Sequence, residues 1–257
     1  MFDLQGKVAL VTGGSRGIGR AIAIRLAENG VQVVVNYVRH KRDAEETASV
    51  IEKQGGRCLL VKANVAEEAD VEAMFEIITK EFGVLDILVS NAASGVLKPV
   101  MELTQRHWDW AMDINARALL TLVQRGFPLM SRGSRVLAVS SLGATRAIEN
   151  YTTVGASKAA LESLVRHLAV EFGPEGINVN TLSAGAVDTD ALKKSANVFH
   201  SPPWPKPPGP SSTAVCAASA RCQATKATAA ATPFRFMTMA AGGSAIRPAR
   251  PMPMVGM

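Results

Sequence analysis

Short apolar runs alternate with segments of helical periodicity over residues 1–185 of this 257-residue chain. Uninterrupted apolar runs are typical of parallel strands buried on both faces, and strands that alternate with helices favour an α/β fold. The pattern therefore predicts a doubly wound parallel sheet of the Rossmann type. The predicted strands are KVALVTGG (7–14), VQVVVNY (31–37), CLLVKANV (58–65), LDILVSNAA (85–93), RVLAVSSLG (135–143) and INVNTLSAG (177–185). The predicted helices lie at residues 19–30, 42–56, 71–83, 108–127 and 157–176.

The pattern changes at about residue 193. The segment SPPWPKPPGPSS is rich in proline, and the residues after it show neither a period nor an acidic side chain. Such a segment cannot form a packed core, so we expect residues 193–257 to be a disordered low-complexity tail. We expect residues 1–192 to form one domain, since the chain is long enough and, at 47% hydrophobic residues, apolar enough to bury a sizeable core.

The formal net charge of +6 is unevenly distributed along the chain. Residues 1–190 contain 20 basic and 22 acidic residues, a net charge of −2, whereas residues 191–257 contain 8 basic residues and no acidic one, a net charge of +8. A mildly acidic body with a basic tail does not form a basic binding patch. Nucleic acid is therefore not an expected partner.

Membrane, disulfide and metal chemistry are not expected either. No apolar run approaches the roughly 18 residues of a membrane span, and the start, MFDLQGKVALVTGG, lacks the basic residues of a signal peptide. We therefore interpret the protein as cytoplasmic. The cysteines, Cys58, Cys216 and Cys222, are too few and too scattered for a disulfide framework, and the last two have no nearby histidine to complete a zinc site.

A glycine-rich turn follows the first predicted strand. The sequence TGGSRGIGRAIA places Gly13, Gly17 and Gly19 where this strand passes into a helix. Small residues at such a turn let backbone amides approach a pyrophosphate at the positive end of the helix. Glycine-rich turns also serve simple chain reversal, but the position after a strand and before a helix favours a dinucleotide site.

The end of the second predicted strand indicates which dinucleotide binds. NAD-selective sites usually place a carboxylate here for the ribose 2′-hydroxyl, whereas this chain has the neutral Asn36 followed by basic residues. Arg16 and Arg39 could both reach a 2′-phosphate, so NADPH is the predicted cofactor. The alternative interpretation is a solvated basic turn.

Several motifs occur in the order found in one enzyme family. They are the glycine loop, NAAS at 91–94, Asn115, SS at 140–141, and a helix that carries Tyr151 and Lys158. In these motifs the chain resembles the short-chain dehydrogenases/reductases from residue 1 to about 192. More narrowly, NAASGVLKPVMEL, HWDW, ENYTTVG and GAVDTDAL are similar to NADPH-dependent enoyl-[acyl-carrier-protein] reductase type III.

This resemblance implies a set of cofactor-binding residues and some departures from the family pattern. The family's usual Asn-Asn-Ala-Gly is here Asn91-Ala92-Ala93-Ser94, its aspartate before the terminal valine of the third predicted strand is Asn64, and its Pro-Gly after the sixth strand is Ala184-Gly185. None of these changes removes a proton donor. The implied cofactor-binding residues are Gly13, Ser15, Arg16, Gly17, Ile18, Gly19, Arg39, Asn64, Val65, Asn91, Ala92, Lys158, Val187 and Thr189.

The spacing of the tyrosine departs from the ketoreductase pattern of the family, Tyr-x-x-x-Lys. Ser141 precedes Lys158 by the 17 residues that the family has, so Val154 fills the ordinary tyrosine place and Tyr151 lies one turn further upstream. Seven residues of an α-helix rotate by about 700°, which is close to two full turns, so Tyr151 and Lys158 share a face if the helix extends that far back.

The displacement has a chemical interpretation. In ketone reduction, hydride adds to the carbon whose oxygen takes the proton; in enoyl-thioester reduction it adds to the β-carbon, and negative charge develops on the thioester oxygen several bonds away. A donor moved by one turn suits the second reaction. The resemblance then implies that Tyr151 is the proton donor and that Lys158 holds the nicotinamide ribose. It implies that Asn115 supports the helix near Lys158, and that Ser141 either orients a carbonyl or only lines the pocket.

Other interpretations of these residues remain. A tyrosine on a helix is more often a core residue, and Tyr37 with Lys41 forms a literal Tyr-x-x-x-Lys that we interpret as coincidence. In HWDWAMDIN, Trp108, Trp110 and Met112 are predicted to be packing residues rather than part of a substrate pocket.

The predicted function is reduction of an acyl-carrier-protein-bound trans-2-enoyl thioester by NADPH in fatty-acid elongation. One alternative is a ketoreductase of the same family that acts on a 3-oxoacyl thioester or another carbonyl. A second alternative is a truncated NADP-binding protein without catalysis. The family resemblance further implies a homo-oligomer, with a tetramer as the usual state.

Residues 193–257 are predicted to be an out-of-frame reading of the gene, so that the last strand of the sheet is missing. The segment MPMVGM at 252–257 permits a shifted frame that reads Ala, Asp, Gly, Gly, and the family commonly ends its last strand with Asp-Gly-Gly. Sequencing the coding DNA is expected to show an open alternative frame with a strand-like pattern. A stop codon soon after Leu192 in the alternative frames would establish the tail as genuine.

Overall fold

The computed structural model describes residues 3–185, 187 and 189. The strands are β1 Val8–Val11, β2 Gln32–Tyr37, β3 Cys58–Lys62, β4 Ile87–Ser90, β5 Arg135–Ser141 and β6 Asn178–Ala184. The α-helices are α1 Gly17–Ala27, α2 Lys41–Lys53, α3 Glu68–Phe82, α4 Gln105–Met112, α5 Ala118–Gly126 and α6 Thr152–Phe172. The predicted tail at 193–257 and the predicted loss of the last strand lie outside the described residues.

The six strands form one parallel sheet in the order β3-β2-β1-β4-β5-β6. The strand order reverses between β1 and β4, which places the switch point of a doubly wound fold at the carboxyl ends of these two strands. The predicted Rossmann-type α/β fold is confirmed. Ligands in such folds bind at this switch point, directly beside the glycine-rich turn after β1.

Both faces of the sheet are buried, because side chains of each strand alternate between them. On one face, Leu10 and Leu88 pack with Met74 of α3, Leu119 of α5 and Leu161 of α6. The opposite face packs β1 and β2 residues against α1 and α2 in a second cluster. Burial on both sides explains why the strands appear in the sequence as uninterrupted apolar runs. Among the helices of the described segment, none is long and apolar enough to cross a membrane.

The helix predicted at 108–127 is interrupted. A π-helical turn, Asp113–Arg117, separates α4 from α5. Such turns occur mostly as single insertions in α-helices, frequently at functional sites. This turn carries Asn115, whose side chain is buried and points to the loop after β4. Apolar spacing alone cannot distinguish this turn from a regular helix, because both keep one face toward the core.

Candidate active site

The turn after β1 has the geometry of an anion-binding loop. Gly13 and Gly17 adopt φ of +61° and +57°, which favour glycine. A Cβ at Gly19 would collide with the carbonyl oxygen of Gly13, so close approach of backbone to backbone requires glycine there. Arg16 is the N-cap of α1, but its side chain makes no capping bond and the first turn holds no acid. The first N–H groups of α1 are thus suited to receive an anion.

Two buried polar side chains hold this turn against the sheet. Thr12 Oγ1 accepts hydrogen bonds from the backbone N–H groups of Asn91 and Ala92 at 2.9 and 3.0 Å. Asn36 Oδ1 accepts from the N–H of Gly13, and its Nδ2 donates to the carbonyl oxygen of Ala63 at 2.9 Å. Since both ends of the Asn36 amide are engaged within the protein, this residue positions the turn and leaves ligand contacts to its neighbours.

A cleft of about 1170 Å³ opens beside the turn at the switch point. It is as large as the upper end of ordinary small-molecule and cofactor sites. Every predicted cofactor-binding residue except Lys158 and Val187 lines it. These are Gly13, Ser15, Arg16, Gly17, Ile18, Gly19, Arg39, Asn64, Val65, Asn91, Ala92 and Thr189. The bare backbone, the open helix N-terminus and the size of the cleft together fit a dinucleotide, although the role of each residue stays a prediction.

The side of the cleft next to β2 is basic. Arg16 and Arg39 both line the cleft, together with His40, and the last two residues of β2 are the uncharged Asn36 and Tyr37. Two guanidinium groups on one wall favour an anionic ligand group such as a phosphate.

The side chain of Lys158 lies between α6 and β5 and is not among the residues that line the cleft. Its Nζ donates to the carbonyl oxygen of Val139 at 2.7 Å, and the residue is 5% exposed. Burial disfavours the ammonium and lowers the pKa of Lys158 from 10.5 to about 8. The side chain is therefore protonated at neutral pH but is held close to its titration range.

Tyr151 and Ser141 are in contact, as the active-site prediction requires. The phenol of Tyr151 donates to Ser141 Oγ at 3.2 Å. The helix does not extend as far back as the periodicity argument assumed: α6 begins at Thr152, and Tyr151 is its N-cap, whose carbonyl accepts from Gly155 N at 2.7 Å. The phenol therefore lies one turn before Val154, and two turns before Lys158, because Tyr151 initiates the helix and not because it lies within it.

Two glycines form the surface beneath the Tyr151 ring. A Cβ at Gly143 would overlap ring atoms of Tyr151, and a Cβ at Gly155 would lie 2.8 Å from the Gly143 carbonyl oxygen. No expectation was attached to either glycine from the sequence. The SSLG run ends in a glycine, and this was the signal that could have found Gly143.

Val154, at the ordinary tyrosine place of the family, is buried. Its side chain packs so closely on Gly95 that a Cβ there would collide with it. Asn115 lies behind this contact: its Nδ2 donates to Ser94 O at 2.8 Å and to Ser157 Oγ at 2.9 Å, and its Oδ1 accepts from Ser94 N. Asn115 thus ties the loop after β4 to the residue before Lys158, which agrees with the support predicted for it.

One expectation about the surroundings needs revision. Trp108 and Trp110 are 43% and 39% exposed, whereas Met112 is partly buried, so the packing prediction is wrong for the two tryptophans within the described part of the chain. Trp110 lines the cleft from α4, a position that helical periodicity does not indicate. Thr47 was also missed: its Oγ1 lies 2.9 Å from the carbonyl oxygen of Ser15 and anchors the glycine-rich turn to α2.

Comparison with known proteins places this architecture in a family. A family model described as Enoyl-(Acyl carrier protein) reductase matches residues 13–201. A 1-cyclohexenylcarbonyl-CoA reductase from Streptomyces collinus is 42% identical over 197 residues, which cover 77% of this chain and 70% of that relative. A short chain dehydrogenase from Burkholderia cenocepacia, solved in complex with NADP, superposes with a TM-score of 0.71 at 38% identity and covers 74% of this chain and 78% of its own. The chain belongs to the short-chain dehydrogenase/reductase family.

Another solved member of the family is similar to the same extent. The landomycin C-6 ketoreductase LanV, with bound NADP and rabelomycin, superposes with a TM-score of 0.71 at 39% identity, covering 75% of this chain and 81% of its own. Family membership makes the chain an oxidoreductase. Its relatives include both a reductase of an acyl-CoA and a ketoreductase.

Proposed function

We propose that the cleft binds NADPH. The glycine-rich turn, the open N-terminus of α1 and the bare backbone of Gly13 against Ala92 leave room for a pyrophosphate, and Arg16 with Arg39 would neutralise a 2′-phosphate. Two similar solved structures contain NADP. When bound, the nicotinamide supplies the hydride of the reduction.

Replacing either arginine is expected to weaken NADPH binding more than NADH binding. A charge-assisted contact to phosphate contributes on the order of 1.5–3 kcal/mol, so Arg16→Ala and Arg39→Ala should each raise the Kd for NADPH by about 10- to 100-fold. Fluorescence titration with both dinucleotides measures this, with the exposed Arg42→Ala of α2 as a control. Equal losses for NADPH and NADH would indicate general damage to the turn and contradict the phosphate assignment.

We propose that the reaction is reduction of a trans-2-enoyl thioester by hydride addition to its β-carbon. The observation that carries this proposal is the displaced donor: Tyr151 bonds to Ser141 from the N-cap of α6, while Val154 fills the ordinary tyrosine place. The name of the matching family model and the thioester substrate in the name of the Streptomyces relative support it.

Four side chains have separate roles in the proposed reduction. Tyr151 donates a proton to the oxygen on which negative charge develops, and Ser141, 3.2 Å from the phenol, orients that hydroxyl. Lys158 holds the ribose of the cofactor and places a positive charge close to the phenol. Asn115 fixes the loop after β4 against α6 and keeps the wall of the site in place.

A ketoreductase is the second candidate, because one specific contact favours it. In ketoreductases of the family the serine at this place orients the substrate carbonyl, and here Ser141 Oγ and the Tyr151 hydroxyl converge on one point. The similarity to LanV supports this candidate as well. The carbonyl would then have to bind one helical turn closer to the N-terminus of α6 than the usual Tyr-x-x-x-Lys spacing implies.

The two candidates predict opposite substrate preferences. We expect the protein to oxidise NADPH with crotonyl-thioester and to fail with acetoacetyl-thioester, because the proton donor is displaced from the carbon that receives hydride. Absorbance at 340 nm measures both reactions in parallel. Turnover of the oxo thioester alone would replace the enoyl assignment with the ketoreductase one.

We propose that the physiological substrate is carried on acyl-carrier protein, and that the protein acts in fatty-acid elongation as a cytoplasmic homo-oligomer, most simply a tetramer. The family description and the long motifs around Tyr151 support this proposal. Size-exclusion chromatography with light scattering tests the assembly.

A further inference from the structure

Three consecutive residues at the carboxyl end of β5 each form a hydrogen bond with a side chain of α6 or its N-cap. The carbonyl of Val139 accepts from Lys158 at 2.7 Å, and Ser141 accepts from Tyr151 at 3.2 Å. Between them, Ser140 Oγ donates to Glu162 Oε1 at 2.6 Å. The two outer bonds involve the proposed catalytic side chains, whereas the central bond has no part in the chemistry proposed above.

The central bond is short and partly buried. Ser140 is 3% exposed, and Glu162 is partly buried. A hydroxyl that donates to a carboxylate forms one of the stronger hydrogen bonds in proteins, and its loss would leave a buried polar group without a partner. The bond is not a local contact within one helix or turn, since the two residues lie 22 positions apart on different elements.

The remaining contact between α6 and the sheet is largely apolar. Leu161 and Val165 of α6 belong to the same core cluster as Val136 and Ala138 of β5. Apolar burial is non-directional, so it holds the helix on the sheet but does not by itself define how far along the strand the helix lies. A hydrogen bond with a narrow range of distance and angle does define that position.

We propose that Glu162 is a positioning residue: its bond to Ser140 fixes the axial position of α6 on β5. Glu162 follows Lys158 by one helical turn, on the same side of α6. The bond thereby holds Lys158 at Val139 and Tyr151 at Ser141. The catalytic consequence rests on the proposed reduction, in which Tyr151 and Lys158 act on substrate and cofactor.

Removing this bond is expected to reduce turnover far more than cofactor binding. A shift of about 1 Å at a catalytic group can reduce a rate by about 100-fold, so Glu162→Leu and Ser140→Ala should each lower kcat by at least about tenfold. The Kd for NADPH should stay within about threefold, because the proposed phosphate contacts come from the glycine-rich turn, Arg16 and Arg39, which lie outside α6, and only the ribose contact of Lys158 comes from this helix. Glu162→Gln keeps an oxygen that can accept from Ser140 and should restore most of kcat.

The test uses the full chain, with kcat for the thioester that the wild-type protein reduces, well below the unfolding midpoint of every variant. Glu171→Leu, at an exposed glutamate on the same helix, is the matched control. If the two residues act through one bond, the double variant Glu162→Leu/Ser140→Ala is no slower than the slower single variant. Effects that multiply, an unrestored Glu162→Gln, or losses equal to those of Glu171→Leu would overturn the proposal.

A second measurement does not depend on activity. Hydrogen exchange should become faster in Glu162→Leu over residues 151–158 and stay unchanged in α1 and α2, whereas a purely structural role would accelerate exchange throughout the domain. If the wild-type chain reduces neither thioester, the proposed function fails, and the exchange pattern alone supports or overturns the role of Glu162.

Discussion

Tyr151→Phe should reduce the rate of thioester reduction by about 100- to 10,000-fold while NADPH binds almost as tightly as before. The change removes only the phenolic oxygen, which donates to Ser141, and leaves the ring on its glycine surface. No described residue among those that line the cofactor cleft changes. Single-turnover kinetics at saturating NADPH would measure the loss, and fluorescence titration the binding.

Tyr37 is the only other tyrosine of the chain and therefore serves as a matched control. Tyr37 lines the cleft at the end of β2 and is followed four residues later by a lysine, the literal spacing of the ketoreductase pattern. Tyr37→Phe should leave turnover nearly unchanged. Equal rates for wild type and Tyr151→Phe would remove Tyr151 from the mechanism, whatever the substrate.

Lys158→Met should abolish most of the activity and also change how stability depends on pH. Burial lowers the pKa of Lys158 from 10.5 to about 8. Below pH 8 both the folded and the unfolded protein carry the proton, so the full cost of burying the charge is present. Between pH 8 and 10.5 the unfolded chain binds more protons than the folded one, and stability therefore rises with pH.

The size of this effect follows from the shift. The difference between the ordinary pKa of 10.5 and the value of about 8 in the folded protein corresponds to about 3 kcal/mol of unfolding free energy, most of it gained by pH 10. Urea unfolding of the wild type and Lys158→Met should be measured at pH 7, 8, 9 and 10. Between the first and the last pH, the unfolding free energy of the wild type should rise by about 2–3 kcal/mol relative to that of the variant. Other titrating groups cancel in this difference. A difference between the wild type and Lys158→Met that does not change with pH would refute the buried-charge assignment.

Much of the fold could be predicted because strands that are buried on both faces of a sheet appear in the sequence as uninterrupted apolar runs. Each predicted strand contains an observed one, and the glycine spacing identifies the turn after β1 that borders the cleft. The strands are shorter than the apolar runs, as β3 shows: it ends at Lys62, and the predicted Asn64 and Val65 lie in the loop that borders the cleft. Apolar runs continue past the last strand hydrogen bond because the loops at this edge are also partly buried.

The candidate site could be predicted only where local spacing carries the information. Tyr151 and Ser141 were placed together from their distances to Lys158 along the chain. The bond between Ser140 and Glu162 could not be predicted from spacing, because a serine at the end of a strand and a glutamate on a helix are both common and neither indicates the other as its partner. Likewise, helical periodicity identifies the buried face of α4 but does not indicate that Trp110, on the exposed face, borders a cleft.

The surface beneath Tyr151 shows a different kind of constraint on the sequence. Gly143 is not among the described glycines with positive φ, so its backbone conformation would accept alanine. Only the aromatic ring, which occupies the space of the missing methyl group, requires glycine there. The missing side chain at Gly143 is thus part of the proposed active site, because it provides the space that the Tyr151 ring fills.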